Sequence, residues 1–120
     1  LPLGFQVIDL LKEFEFKLVA LTKGPFKTST AWTEKFEWSK ENLTDDVVIT
    51  TDKSLVYGKL LFDDFPDYIE MWLKWRKRGQ VIMLDYPWNK NFNHPNVFRY
   101  RGIEDDQELK KILERCRNRK

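Results

Sequence analysis

The stretch Thr51-Asp-Lys-Ser-Leu-Val-Tyr-Gly58, running on through Lys59-Leu-Leu-Phe-Asp-Asp64, decides how this chain is read. The apolar run Leu60-Leu-Phe62 stops at two adjacent carboxylates, and the β-branched run Val47-Val-Ile-Thr50 before it stops at Thr51-Asp52-Lys53. Short apolar runs bounded by polar turn residues read as buried strands. Working outward, Phe16 to Leu21 is an earlier strand closed by Thr22-Lys-Gly-Pro25, Val81 to Leu84 a later one, and Val97 to Tyr100 a fifth. Between them lie stretches with helical spacing. These are Gly4 to Phe14, Thr30 to Leu43, Pro66 to Arg78 (Pro at its start, Gly79 after it), and Asp105 to about Asn118, with acids first and bases last. Alternating strands and helices predict an α/β fold, a parallel sheet with helices on both faces. In such sheets the ligand sits beyond the carboxyl ends of the strands.

The residues at those ends form a set. Thr22 with the turn backbone of Lys23 and Gly24 offers a hydroxyl and N–H donors to an anion. Lys53 brings an ammonium to the same edge, and Asp63-Asp64 is a plausible seat for a hard cation such as Mg²⁺. After the fourth strand stands Asp85-Tyr-Pro-Trp-Asn89. Each has a plain structural explanation: a Thr caps turns, a lone Lys is solvated, and a DD pair before Phe-Pro caps a helix. Their order at successive strand ends is what a magnesium-dependent phosphoryl-transfer site requires, with donors for phosphate oxygens and carboxylates for the metal.

Composition sets the outer limits. The chain has 120 residues with 21 Lys plus Arg against 19 Asp plus Glu, a net charge of +2. That is one domain's length, and neither a histone-like base nor a disordered acidic tail. Nine Phe, five Trp and four Tyr supply bulk for a core. No apolar run approaches the ~20 residues needed to span a bilayer, and no signal peptide is visible. A single cysteine, Cys116, excludes an internal disulfide framework and suits a reducing, cytoplasmic compartment. The chain opens Leu1-Pro2-Leu3 rather than with Met, and is read as a portion of something longer.

These residues resemble the haloacid dehalogenase (HAD) superfamily. Thr22, Lys53 and Asp63-Asp64 follow three successive strands, in the order of that superfamily's motifs II, III and IV. The closer likeness is to its 5'(3')-deoxyribonucleotidase branch. Glu34-Lys-Phe-Glu-Trp38 resembles that branch's E-K-aromatic-x-W helix, the 51–64 stretch its D-K-x-x-x-x-G-D-x-L-I-D-D segment, and Pro87-Trp88-Asn89 its P-W-N loop. The resemblance covers roughly residues 2 to 100, and implies a Mg²⁺-dependent phosphatase acting on deoxynucleoside monophosphates through an aspartyl-phosphate. By it, Thr22, Lys23 and Gly24 would hold the phosphoryl group and Lys53 would neutralise it. Asp63 and Asp64 would serve Mg²⁺.

The chain departs from that family where the nucleophile belongs. The first motif, a strand ending D-x-D, has no counterpart in the 21 residues before Thr22, where Asp9 lies inside a helical stretch. The cap segment between motifs I and II is missing too, and Lys59 stands where the branch often has Asp. In the HAD fold the motif I strand is central, between the motif II and motif IV strands. Without it two strands face each other unpaired, at roughly 1–3 kcal/mol per buried unsatisfied group against a total stability of about 5–15 kcal/mol. The expectation is a HAD-like Rossmannoid sheet lacking its central strand. That strand and its D-x-D would come from an upstream segment or a second subunit. Residues 1–104 form the carboxyl-terminal portion of the core, and residues 105–120 a basic terminal helix. The alternative is a non-catalytic HAD-like module that binds nucleotide or serves as an interaction subunit.

A third and weaker reading is a nucleic-acid-associated accessory domain. It rests on Trp72-Leu-Lys-Trp-Arg-Lys-Arg78 and on a tail, Lys110 to Lys120, with six bases against one acid. An amphipathic helix with a solvated basic face, and bases at a helix C-terminus, explain both. His94 reads as a loop residue and Cys116 as inert.

Overall fold

The computed structural model describes residues 2–23, 37–41, 44, 46–50 and 52–118. Helix α1 (Pro2–Glu13) leads to strand β1 (Ala20–Lys23). Residues 37–41 are helical, and then follow β2 (Val47–Thr50), β3 (Leu60–Asp63), α2 (Pro66–Lys74), β4 (Gln80–Leu84), β5 (Val97–Tyr100) and α3 (Asp106–Asn118). All the ladders are parallel, as alternation of strand and helix requires. Among the described residues they form two sheets rather than one: β1 beside β2, and β3-β4-β5.

The three-stranded sheet is covered on both faces. Side chains alternate along β4, so Ile82 and Leu84 join Val7, Leu10 and Leu11 of α1 and Leu109, Ile112 and Leu113 of α3. Val81 and Met83 turn the other way, onto Ile69, Trp72 and Leu73 of α2. Val81 to Leu84 are all buried, the continuous apolar run expected of a central parallel strand. Cys116 is buried in the α3 layer, in keeping with an inert thiol. Among the described residues no helix is long and apolar enough to cross a membrane.

Several boundaries differ from the sequence expectation, most of them by one or two residues. β1 begins at Ala20, not Phe16. Phe16 and Leu18 pack against the α1–α3 cluster as irregular chain, and the strand starts where Ala20 N–H reaches the Asp46 carbonyl (2.8 Å). Helix α2 ends at Lys74 rather than Arg78. Tight turns, Arg76 N–H to Leu73 O and Gly79 N–H to Arg76 O, fold the chain back beneath the Trp72 ring, so close that a Cβ on Gly79 would lie 2.6 Å from it. Helix α3 begins after a 3-10 turn, Ile103–Asp105. The helix expected over Thr30 to Leu43 lies mostly outside the described residues.

Between β1 and β3 runs a cleft of about 900 Å³. Leu18, Ala20 and Leu21 line one wall, and Leu60, Leu61 and Phe62 the other. In a parallel ladder a residue directs its N–H and C=O to the same side, and the next residue to the opposite side. Ala20 bonds toward β2 and Lys59 accepts from Gln80 on β4 (3.4 Å). The backbone groups of Leu21, Leu60 and Phe62 therefore turn away from β2 and β4, toward the cleft.

Candidate active site

The polar cluster stands at the carboxyl ends of β2 and β3, astride the seam between the two sheets. Beyond β2, the Thr50 hydroxyl accepts from Asp52 N–H (3.2 Å), and Asp52 caps the 3-10 turn Lys53–Leu55 by accepting from Ser54 N–H (2.9 Å) and Ser54 Oγ (2.6 Å). That turn holds Lys53 with its Nζ 4.6 Å from the centre of the Tyr68 ring and 3.2 Å from Asp63 Oδ2. The pair is largely removed from water, the side chains being 14% and 8% exposed. Burying an ion pair is costly unless its remaining hydrogen-bonding capacity is met. Here the other Asp63 oxygen accepts from Asp64 N–H (2.7 Å) and Phe65 N–H (3.3 Å).

Asp64 is placed differently. Its carboxyl is pushed above the usual range, first by burial and then by the Asp63 carboxylate beside it. Its backbone carbonyl accepts from Trp88 Nε1 (3.1 Å) and Asn89 Nδ2 (2.8 Å), which ties the Pro87–Asn89 turn to the end of β3. Asn89 is buried and also donates to the Leu84 carbonyl (2.8 Å), while its Oδ1 accepts from Tyr86 N–H (3.1 Å). Arg99 on β5 closes the network, donating to Asp85 Oδ1 (2.6 Å), Asn89 Oδ1 (3.0 Å) and the Phe92 carbonyl (2.8 Å).

Lys53, Asp63 and Asp64 thus come together. Thr22 and Lys23 lie in the last two positions of β1, opposite Ile49 and Thr50, rather than in a loop beyond the strand, and β1 runs beside the turn that carries Lys53. Gly24 lies outside the described residues. The Asp63 carboxylate alone of the pair also caps the turn, so its structural and chemical readings coexist. Sequence reasoning missed Tyr68 and Arg99. One Arg in an otherwise apolar strand was a signal for the second, while nothing short of the folded chain sets Tyr68 under Lys53. His94 is an exposed loop residue whose Nδ1 accepts from Asn96 N–H (3.0 Å). The basic, aromatic helix separates in the fold: Trp72 is core, its N–H donated to Val56 O (3.0 Å), and Trp75 is exposed with Lys74 over its ring.

A parallel α/β sheet with an ammonium and two carboxylates at its carboxyl edge is Rossmann-like in architecture. More narrowly, the family model described as 5' nucleotidase, deoxy (pyrimidine), cytosolic type C protein matches residues 5–117, and the chain belongs to that family of HAD-type nucleotidases. No curated protein and no solved structure matches the chain significantly.

Proposed function

We propose that this chain is the carboxyl-terminal part of a Mg²⁺-dependent phosphatase acting on deoxynucleoside monophosphates, completed by a strand carrying the nucleophilic carboxylate. That strand comes from a preceding segment or a second subunit. The observation that carries the reading is the Lys53–Asp63 pair beside Asp64, opening onto a cleft walled by two unpaired strand edges. Lys53 neutralises the phosphate as it binds, and Thr22 with the backbone of Lys23 and Gly24 donates to its oxygens. Mg²⁺ keeps several waters and takes one or two carboxylates together with phosphate oxygens. Two adjacent carboxylates, one raised by burial and then by the other's charge, fit that requirement. Asp63 is already held by Lys53 and two backbone N–H groups, which leaves Asp64 as the direct ligand and Asp63 as its positioning partner. When bound, the ion would offset the charge of the transferring phosphoryl group.

A second reading, a nucleotide-binding or interaction subunit without turnover, is favoured by one observation. Among the described residues the only carboxylate paired with Lys53 is Asp63, which is committed to the turn. Phosphate release from a deoxynucleoside monophosphate in Mg²⁺ separates the two. The chain alone is expected to give none. Co-expression with a strand ending in D-x-D is expected to restore release, to abolish it again with Lys53→Ala, and to slow amide exchange at Leu21, Leu60 and Phe62. Release by the chain alone that Lys53→Ala abolishes would overturn the missing-nucleophile element. Strand insertion without release would hand the case to the non-catalytic reading.

A further inference from the structure

The cation–ring contacts among the described residues differ in reach. Lys74 over Trp75 and Arg76 over Trp72 join near neighbours at the end of one helix. Lys53 over Tyr68 joins two elements, the turn after β2 and the first turn of α2. Lys53 is also mostly withdrawn from water, its side chain 14% exposed.

Both partners of that ammonium belong to one junction. Asp63 ends β3, and its Oδ1 is fixed by Asp64 N–H (2.7 Å) and Phe65 N–H (3.3 Å). Phe65 holds the N-cap position of α2, Pro66 sets the first helical φ, and Ile69 N–H reaches the Phe65 carbonyl (3.1 Å). The Phe65 ring leans on Tyr68, centroids 4.9 Å apart and planes inclined by 53°. The junction therefore presents a carboxylate and a ring face at set positions. Lys53 Nζ lies 3.2 Å from the first and 4.6 Å from the centre of the second.

An ammonium withdrawn from water must have its charge and its N–H donors met by the protein. Asp63 meets part of that need. A second carboxylate would meet the rest, but would add negative charge where a phosphate approaches. A ring face attracts the cation through its quadrupole and brings no net charge. An aliphatic side chain in the same place would exclude water and give nothing back.

We propose that Tyr68 is a positioning residue acting through Lys53: its π face holds the ammonium at the strand ends and leaves N–H donors for a phosphate oxygen. The inference rests on the phosphate role of Lys53 given above and adds the group that sets Lys53 in place. Its effect follows the electron density of the ring rather than its bulk.

The test is calorimetric titration of the chain with inorganic phosphate in Mg²⁺, across ring variants of graded electron density. Tyr68→Phe keeps the face and should stay within about twofold of the parent, whereas Tyr68→Leu should weaken phosphate by about fivefold. Phenylalanines bearing one, two and three ring fluorines at position 68 keep the shape but withdraw electrons from the face. Affinity should fall stepwise with each fluorine. In NMR the ring should move the Lys53 ε-methylene protons upfield in the parent and in Tyr68→Phe, and not in Tyr68→Leu. Equal affinity along the fluorinated series would overturn the role of Tyr68 and spare the phosphate role of Lys53. A Tyr68→Phe chain as weak as Tyr68→Leu, or a parent without the upfield shift, would do the same. A Lys53→Met chain that binds phosphate as tightly as the parent, or a parent that binds none, would overturn the phosphate role of Lys53 and this inference with it.

Discussion

The two sheets of this molecule are built from similar strands and end in different conditions. β4 has a partner on each edge and a helix layer on each face, and its side chains from Val81 to Leu84 are buried. β1 has β2 on one edge and a cleft on the other, and Leu21 beside that cleft is half-buried. A parallel pair gains little by itself, since two-strand units are marginal without further strands or a covering layer. The comparison teaches where scaffold and chemistry separate. The three-stranded sheet, covered on both faces, supplies rigidity and carries the carboxylates at the end of β3, whereas the two-stranded pair presents the lysine after β2. The Lys53–Asp63 bond joins them across the seam.

The largest way to sharpen that contrast is truncation on each side of it. Trp72→Ala, in the three-stranded half, is expected to cost about 4 kcal/mol through lost burial, a cavity and an orphaned Val56 carbonyl. Leu21→Ala on the cleft wall should cost about 1 kcal/mol, because less of that side chain leaves water on folding. Urea denaturation of both variants measures the difference. Hydrogen exchange should agree, with β4 amides opening only in global unfolding and β1 amides at lower free energy.

Next comes the seam itself. Lys53→Met removes the cation and leaves the Asp63 carboxylate buried without a charge partner, at an expected cost of about 3 kcal/mol. Lys53→Met combined with Asp63→Asn should recover much of that loss. If the double variant is no more stable than the single one, the bond does not staple the two halves.

The smallest effect tests the three-stranded half away from the cleft. Asp105 accepts from Arg101 N–H (2.7 Å) and from the Arg101 guanidinium, whose hydrogen bond holds the carboxyl below the usual range. A group depressed in the folded state stabilises above its unfolded value of about 3.9. That contribution fades as pH falls below there through the folded value. Asp105→Asn should therefore cost about 1 kcal/mol at pH 7 and flatten the acid side of the stability curve. An acid slope identical to the parent's would assign that region's pH dependence elsewhere.

Much of this was legible in the chain. β2 and β5 fall on their β-branched or aromatic runs with the expected limits, because runs bounded by turn residues leave little choice of register. The placing of Lys53 and Asp63-Asp64 at the ends of β2 and β3 was readable as well, whereas Thr22 and Lys23, expected in a loop, lie inside β1. The start of β1 was not, since Phe16 and Leu18 are as apolar as any strand residue and only pairing with β2 selects Ala20. The end of α2 was not either: helical spacing continues through Arg78, and the close fit of Gly79 under Trp72 breaks it. In the site, Lys53, Asp63 and Asp64 were named from sequence, but Tyr68 beneath the ammonium and the Asn89–Arg99 brace depend on contacts between elements far apart in the chain.

What the sequence determined alone is therefore local and periodic. It set the alternation of strand and helix, the parallel pairing that follows, and the polar residues closing each apolar run, because hydrophobic period and turn chemistry act over a few residues. Only the tertiary structure decided that the parallel strands divide into a set of three and a pair, that the β1 and β3 edges face each other across a cleft, and that an ion pair bridges them. Those outcomes depend on which backbone edges find partners, and edges are satisfied by the whole fold rather than by any one run of residues.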